Sequence, residues 1–266
     1  MKKHNFFIFL ILFTLQLTAQ NNLQWRAVFQ YKQIVTDKEK ARRDSLIKVQ
    51  PDMANLIQRM YKRFENRSYV MDFNKDESLF KEENKLENVG RNSAHRHSSY
   101  RRNNRKLYKN IREKIYLDQR SLMDKEYLIT DSLPLYKWQV TNESKQIGNY
   151  MVVKATSPDP YDEKNTIEAW FTPELPVSNG PQKYWGLPGF IMEVKDGQQV
   201  YLCKEIIINP KDKIEIKRPS KGKIVDEETF KKERKKIQEK MRKMYENRRG
   251  EGGNNHRGRH IEIRLR

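Results

Sequence analysis

One cysteine, Cys203, stands in a chain of 266 residues, and a single thiol excludes an internal disulfide, so packing alone must hold the fold. Histidine is nearly as scarce. His95 and His97, and again His256 and His260, have no third ligand at a recognisable metal spacing, so no metal site is expected. Long hydrophobic runs are also missing. The longest, Phe6 to Leu17, is too short to cross a bilayer comfortably. Preceded by Met1-Lys2-Lys3-His4 and followed by Thr18-Ala19-Gln20, it has the parts of a secretory signal with cleavage expected after Ala19. An N-terminal anchor is the alternative reading. No cysteine follows the run, which argues against a lipoprotein. The sequence has no G-x-S-x-G, H-E-x-x-H, phosphate loop or dinucleotide fingerprint, so no catalytic residue or cofactor can be named and an enzyme is not expected.

What the chain has in excess is positive charge: 54 Lys and Arg against 35 Asp and Glu, a formal net charge of +19, with 33% charged residues and only 36% hydrophobic ones. Roughly half of that surplus lies beyond Lys217. A basic chain raises nucleic acid first, but an export signal and the absence of any DNA- or RNA-binding motif make nucleic acid an improbable partner. Anionic membrane surfaces or an acidic envelope protein fit better. The mature length of roughly 245 residues allows one core with an appendage, divided as signal 1–19, β-rich domain 20–216 and basic tail 217–266.

Within the domain, Trp25 to Val35 alternates as a half-buried strand. Asp37 to Asn66 has helical spacing broken at Pro51, predicting a helical insertion whose apolar stripe rests on the sheet; a membrane-surface or partner-binding helix is the sharper alternative. Tyr69–Phe73 and Ser78–Phe80 resume a period of two, 82–106 reads as a polar basic loop, and Tyr108 to Leu135 as a meander of short strands. Strands are expected at Trp138–Thr141, Tyr150–Thr156 and Thr166–Thr172. A hairpin of Phe190–Val194 with Gln199–Ile208 is expected around a type I′ turn at Asp196-Gly197, followed by a short strand at Ile214 and Ile216. In the tail, Asp226-Glu227-Glu228 caps a helix expected to stop at Gly250. Its basic surface is carried by Lys231, Lys235, Lys236 and Arg242, and Ile261, Ile263 and Leu265 alternate as a terminal edge strand.

The chain is organised around Gly180 to Val194, GPQKYWGLPGFIMEV. Leu187-Pro188-Gly189-Phe190 reads as a type II turn, with proline second and glycine third, and Gly186, Pro188 and Gly189 as its rigid frame. Trp170, Tyr184, Trp185, Leu187 and Phe190 cluster about this loop, either walling a pocket for a ligand or partner strand or plugging the end of a sheet. Glu168, Glu174 and Glu193 lie near enough in sequence to meet as a carboxylate pair. Cys203, in an apolar strand, reads as a buried structural thiol rather than a nucleophile.

The segment WGLPGFI, with Trp138-Gln139-Val140-Thr141-Asn142-Glu143, Ile147-Gly148-Asn149-Tyr150, and Ala169-Trp170-Phe171-Thr172-Pro173-Glu174-Leu175-Pro176 upstream in order, resembles the GLPGLI or Porph_ging family. These are exported proteins of diderm bacteria whose biochemical function is not established. Two departures stand out: Val152 where the family often has cysteine, and Phe190 for its usual leucine. The resemblance implies an exported, β-rich domain and carries over no active site; with the export signal, a periplasmic, outer-membrane-associated or extracellular location is expected.

The fold expected is α+β, dominated by a curved antiparallel sheet or half barrel, with the helical insertion and a basic C-terminal helix. Three functions follow: a non-enzymatic binding or carrier-like protein for an apolar ligand or partner protein; an envelope adaptor acting through the basic helix; and a hydrolase with an unrecognised site.

Overall fold

In the computed structural model, which describes residues 23–49, 51–55, 58, 66–83, 105–212 and 214–255, the first strand of the chain lies in the middle of its sheet. This strand, β1 (Trp25–Gln33), buries Trp25, Ala27 and Phe29 in alternation. It pairs antiparallel with β2 (Asn66–Phe73) on one side and with β11 (Gln199–Ile208) on the other. From β2 a meander runs outward through β3 (Glu77–Glu82), β4 (Lys106–Asn110), β5 (Ile115–Leu122) and β6 (Lys125–Ser132). A second meander returns inward to β11 through β7 (Gln139–Ile147), β8 (Tyr150–Asp159), β9 (Asp162–Thr172) and β10 (Phe190–Asp196). The segment after β11 then crosses the first meander, and β12 (Lys223–Val225) pairs parallel with β6.

The result is one open sheet of 12 strands, not closed into a barrel. The parallel pair makes it mixed rather than purely antiparallel, because a chain returning from mid-sheet to the far edge arrives in that direction only by a crossover. The curl of the sheet is visible in one contact. Phe73 on β2 and Phe190 on β10 stack with centroids 4.6 Å apart and planes at 4°, although β1 and β11 lie between their strands. Three strand spacings of a flat sheet would separate them by ~14 Å. Register shifts at Val28/Phe29 and Ile191/Glu193 mark the places where strands bend. The concave side is filled by Trp25, Phe29, Phe73, Phe80, Tyr69 and Phe190 in mutual ring contact.

α1 (Asp37–Val49) buries no residue, and Leu46 and Val49 are exposed. The expected resting of its stripe on the sheet is therefore corrected: its charged residues leave no continuous apolar face to bury. Pro51–Met53 forms a short 3-10 turn at the expected break, while Leu56, Ile57, Met60 and Phe64 lie outside the described residues, as do the signal at 1–19, His95, His97, His256, His260 and the strand expected at 261–265. Ile214 is buried at 4% exposure, but it and Ile216 form no strand; they belong to the crossing segment. α2 (Glu227–Asn255) is capped by the Asp226 carboxylate, which accepts the Thr229 N–H at 2.6 Å. The helix does not stop at Gly250 but continues through Gly252 and Gly253 to Asn255, since glycine weakens a helix interior without terminating it.

Two turns differ from expectation. Of the pair Gly197-Gln198 that joins β10 to β11, only Gly197 has positive φ (55°). A type I′ turn needs both residues there; glycine at the first position alone is the II′ pattern. In the signature, the positive-φ glycine is Gly186 (97°), not Gly189, so the type II turn at Leu187–Phe190 is also corrected. Gly189 is required for space instead: a Cβ there would lie 2.2 Å from the Thr172 carbonyl oxygen.

Candidate functional site

The loop from Pro173 to Gly189 is fastened to the sheet by side chains that reach its backbone. Lys109, on β4 and fully buried, donates from Nζ to the carbonyls of Gly180 (2.6 Å) and Tyr184 (3.0 Å). Trp138 donates to the Trp185 carbonyl and Trp185 to the Pro134 carbonyl, both at 2.8 Å. Burial drives the Lys109 amine well below the ordinary lysine value, because no carboxylate is supplied to balance a charge there. Its N–H groups serve both carbonyls. Nothing in the local sequence Lys106-Leu107-Tyr108-Lys109 separates this lysine from a solvated one; its alternation with Leu107 toward the concave side is the only signal.

Beyond the fastened loop opens a cavity of about 230 Å³. Tyr136, Tyr161, Tyr184 and Tyr201 supply its aromatic walls, Arg105 and Lys183 its cations, Asp159 and Asp196 its carboxylates, with Gln182 and Gln199 between them. Tyr184 donates its hydroxyl to Asp196 (2.8 Å), which also accepts from Asn165. Gln182, buried, donates to the Tyr201 oxygen at 3.0 Å and holds φ at 48°. A non-glycine residue in that region costs of order 1–3 kcal/mol and tends to occur where a site dictates the backbone. Desolvation raises the pKa of all four tyrosines, Tyr161 to about 12, so each hydroxyl remains a proton donor at neutral pH.

The floor is a buried charge network. Asp118, fully buried, accepts from Arg105 (2.7 Å) and Arg120 (2.5 Å). Burial alone would raise its pKa, but Arg105 and then Arg120 hold it below the usual carboxylate value. Lys183 pairs with Glu227 of α2 at 3.1 Å and lies over the Tyr116 ring. Burial lowers the Lys183 pKa despite that partner. The start of α2 thus packs behind the lining, with Phe230 edge-on to Tyr127 and Lys231 over Tyr161.

Of the five aromatic and apolar residues singled out in the sequence, Tyr184 alone lines this cavity. Phe190 and Leu187 are buried, at 0% and 1% exposure. Trp170 is covered by the Lys145 and Lys154 ammonium groups, 4.1 Å and 5.7 Å from its ring centre. Trp185 is half-buried and engaged with Pro134. Glu193 and Glu168 flank Trp170 but form no carboxylate pair, since Lys145 binds the first (2.5 Å) and Lys154 the second (3.4 Å). Glu174 instead accepts the Met151 N–H. Lys231, Lys235, Lys236 and Arg242 are exposed on α2, and among the described residues no group of three His, Cys, Asp or Glu side chains could hold a metal ion. Cys203 is buried, donates to the Glu205 carbonyl at 3.4 Å, and burial pushes its thiol up to about 12. Tyr136, Tyr161 and Tyr201 were missed because they come from three separate strands or loops that only the fold brings together.

Residues 161–193 match the model of the Porph_ging family, described as a protein of unknown function. The stretch includes β9, the fastened loop and the signature, and the match bears out the resemblance read there. Two solved structures of PNGF-II, in the C2 and P21 space groups, are similar in fold: TM-score 0.50 for each, 14% and 15% identity, covering 79% of this chain and 32% of the other. The chain thus spans about a third of that protein's length, and at this identity the likeness is one of fold alone. No curated protein matches.

Proposed function

We propose that the chain is an exported, non-catalytic binding module of the cell envelope, whose ligand is a neutral polyhydroxylated group such as a saccharide ring rather than an apolar molecule. The observation that carries this is the lining of the 230 Å³ cavity: four tyrosines, two cations and two carboxylates. Flat aromatic faces accept the C–H side of a sugar, while fixed donors and acceptors around them recognise hydroxyls. The lining charges balance, which disfavours a charged ligand. Its tyrosines, held protonated, are suited to hydrogen bonding and not to proton abstraction at neutral pH. The strained Gln182 and the lysine-fastened loop give the preorganisation that binding rewards.

Glycan-array screening followed by calorimetry tests the reading, with Tyr161→Ala and Tyr136→Ala as the pocket variants. Saccharide binding abolished by either variant, with unchanged thermal unfolding, is the expected result. An array with no saccharide bound by the wild type, or binding indifferent to both substitutions, would overturn it.

A second reading, an adaptor acting through the basic helix, is favoured by one observation: Lys235 and Lys236 are exposed on a helix whose first turns are anchored to the sheet. A partner lost on Lys235→Glu/Lys236→Glu while saccharide binding persists would assign that helix a separate role.

A further inference from the structure

The segment that carries the chain from β11 back to β12 does not lie flat on the strands it crosses. Between Glu215–Lys221 and the outer face of the first meander runs a groove of about 680 Å³. Its floor is set by register. Arg26 stands opposite Asp72, and Lys81 opposite Lys106, which itself faces Gln119. Its roof supplies Lys217, Arg218 and Lys221.

Six cations therefore face three carboxylates, and the carboxylates are unevenly committed. Asp72, 2% exposed, binds Arg26 at 2.6 Å and Lys81 at 3.5 Å. Glu215 holds Lys217 at 2.6 Å. Arg218 is taken by Glu113, at 2.6 Å, and by the Tyr108 hydroxyl at 3.0 Å. Glu126 stands at one end of the groove on β6. Lys106 on the floor and Lys221 on the roof have no ion-pair partner among the described residues, and the Gln119 amide lies beside Lys106. A protein normally spreads such charge over convex surface, where water screens it; here low-dielectric walls concentrate it in a cleft.

We propose that this groove is a second ligand site, distinct from the tyrosine cavity, and that it binds phosphate-bearing ligands through Lys106 and Lys221. Two point charges on opposite walls suit the oxygens of a polyphosphate or phosphoester, and Gln119 offers an amide donor between them. Arg26 and Lys81, anchored by a buried carboxylate, hold the positive potential in place behind them. The site stands on residues that the saccharide reading does not use, so either proposal can fail alone.

Calorimetric titration of the full chain with tripolyphosphate is the test, run beside Lys106→Gln/Lys221→Gln and the charge-preserving Lys106→Arg/Lys221→Arg. Binding should weaken by about tenfold or more for each lysine removed, survive in the arginine variant, and fall steeply with salt. Flotation with phosphatidylglycerol vesicles, against neutral phosphatidylcholine ones, separates the sources. Flotation lost in the glutamine variant places the phosphate on a lipid headgroup; tripolyphosphate binding without flotation places it on a soluble phosphoester. No tripolyphosphate binding by the wild type, or equal binding by the glutamine variant, would overturn the site. Because both lysines are exposed, the variants keep the core intact, and matching thermal unfolding confirms it.

Discussion

Replacing Lys109 by methionine should alter the pH dependence of folding more informatively than it alters the stability itself. The amine is wholly buried against two carbonyls with no counter-charge, and its pKa in the fold is depressed. In the unfolded chain it titrates near the ordinary ~10.4. Between those two values the unfolded state binds a proton that the folded state does not, so stability rises with pH at up to about 1.4 kcal/mol per unit and levels off above the unfolded pKa. Methionine removes that dependence. It also strands the Gly180 and Tyr184 carbonyls, at about 1–3 kcal/mol for each group left dry. Urea denaturation of wild type and Lys109→Met at several pH values from 7 to about 9 gives the difference directly, and the difference cancels the opposing contributions of Cys203 and the tyrosines, whose raised pKa values make stability fall at still higher pH. A wild-type-minus-variant difference that is flat across this range would mean that Lys109 is charged in the fold, and the account of how the loop is fastened would fail.

Three further outcomes follow from the packing. Gly189→Ala places a methyl 2.2 Å from the Thr172 carbonyl oxygen and should destabilise by about 1–3 kcal/mol through overpacking; an unchanged denaturation midpoint would show that β9 can yield there. Asp118→Asn leaves Arg105 and Arg120 facing each other in a buried site and should cost about 3–5 kcal/mol. Because the folded Asp118 pKa is depressed, its contribution is present above the unfolded value of ~3.9 and lost as pH falls through the folded one, so the variant should also lack that part of the acid-unfolding limb. Cys203, with its thiol pushed up to about 12, should resist iodoacetamide at pH 8 in the native protein and react promptly in urea; rapid native labelling, followed by mass spectrometry, would place the sulfur in solvent.

The strands were legible where side chains alternate against one buried face, as in Trp25 to Gln33 and in the hairpin of β10 with β11. The crossing of the chain to β12 was not, because Ile214 and Ile216 have the spacing of a strand but find no neighbouring strand to pair with. Periodicity records which side a residue faces, never whether a partner waits there. The signature loop was legible as rigid, yet the work of its glycines was assigned wrongly: Gly189 is demanded by a carbonyl contributed from β9, a contact that no local pattern carries. The aromatics near the signature drew attention as a ligand wall because large rings beside a stiff loop look available. In the fold Phe190 stacks on Phe73 and Trp170 is capped by two lysines, and the walls of the cavity come from tyrosines spread over Tyr136 to Tyr201. Lys109 was invisible for the opposite reason, since a lysine amid lysines reads as solvated until burial is known.

The position of β1 has a consequence for the order in which the protein can assemble. The strand made first is flanked on one side by a neighbour made soon after and on the other by Gln199–Ile208, so one edge of the nascent sheet stays unpaired until most of the chain exists. Closing that gap brings together segments far apart in sequence, and such long-range pairing is slow. Docking of β11 onto β1 is therefore expected late; it brings the Phe190 ring to the Phe73 ring, with Val225 and Phe230 left to complete the core. Until then Ala27, Phe29 and Phe73 line an open apolar trough, and the interval before sealing is when the molecule is most exposed to aggregation and most open to a chaperone.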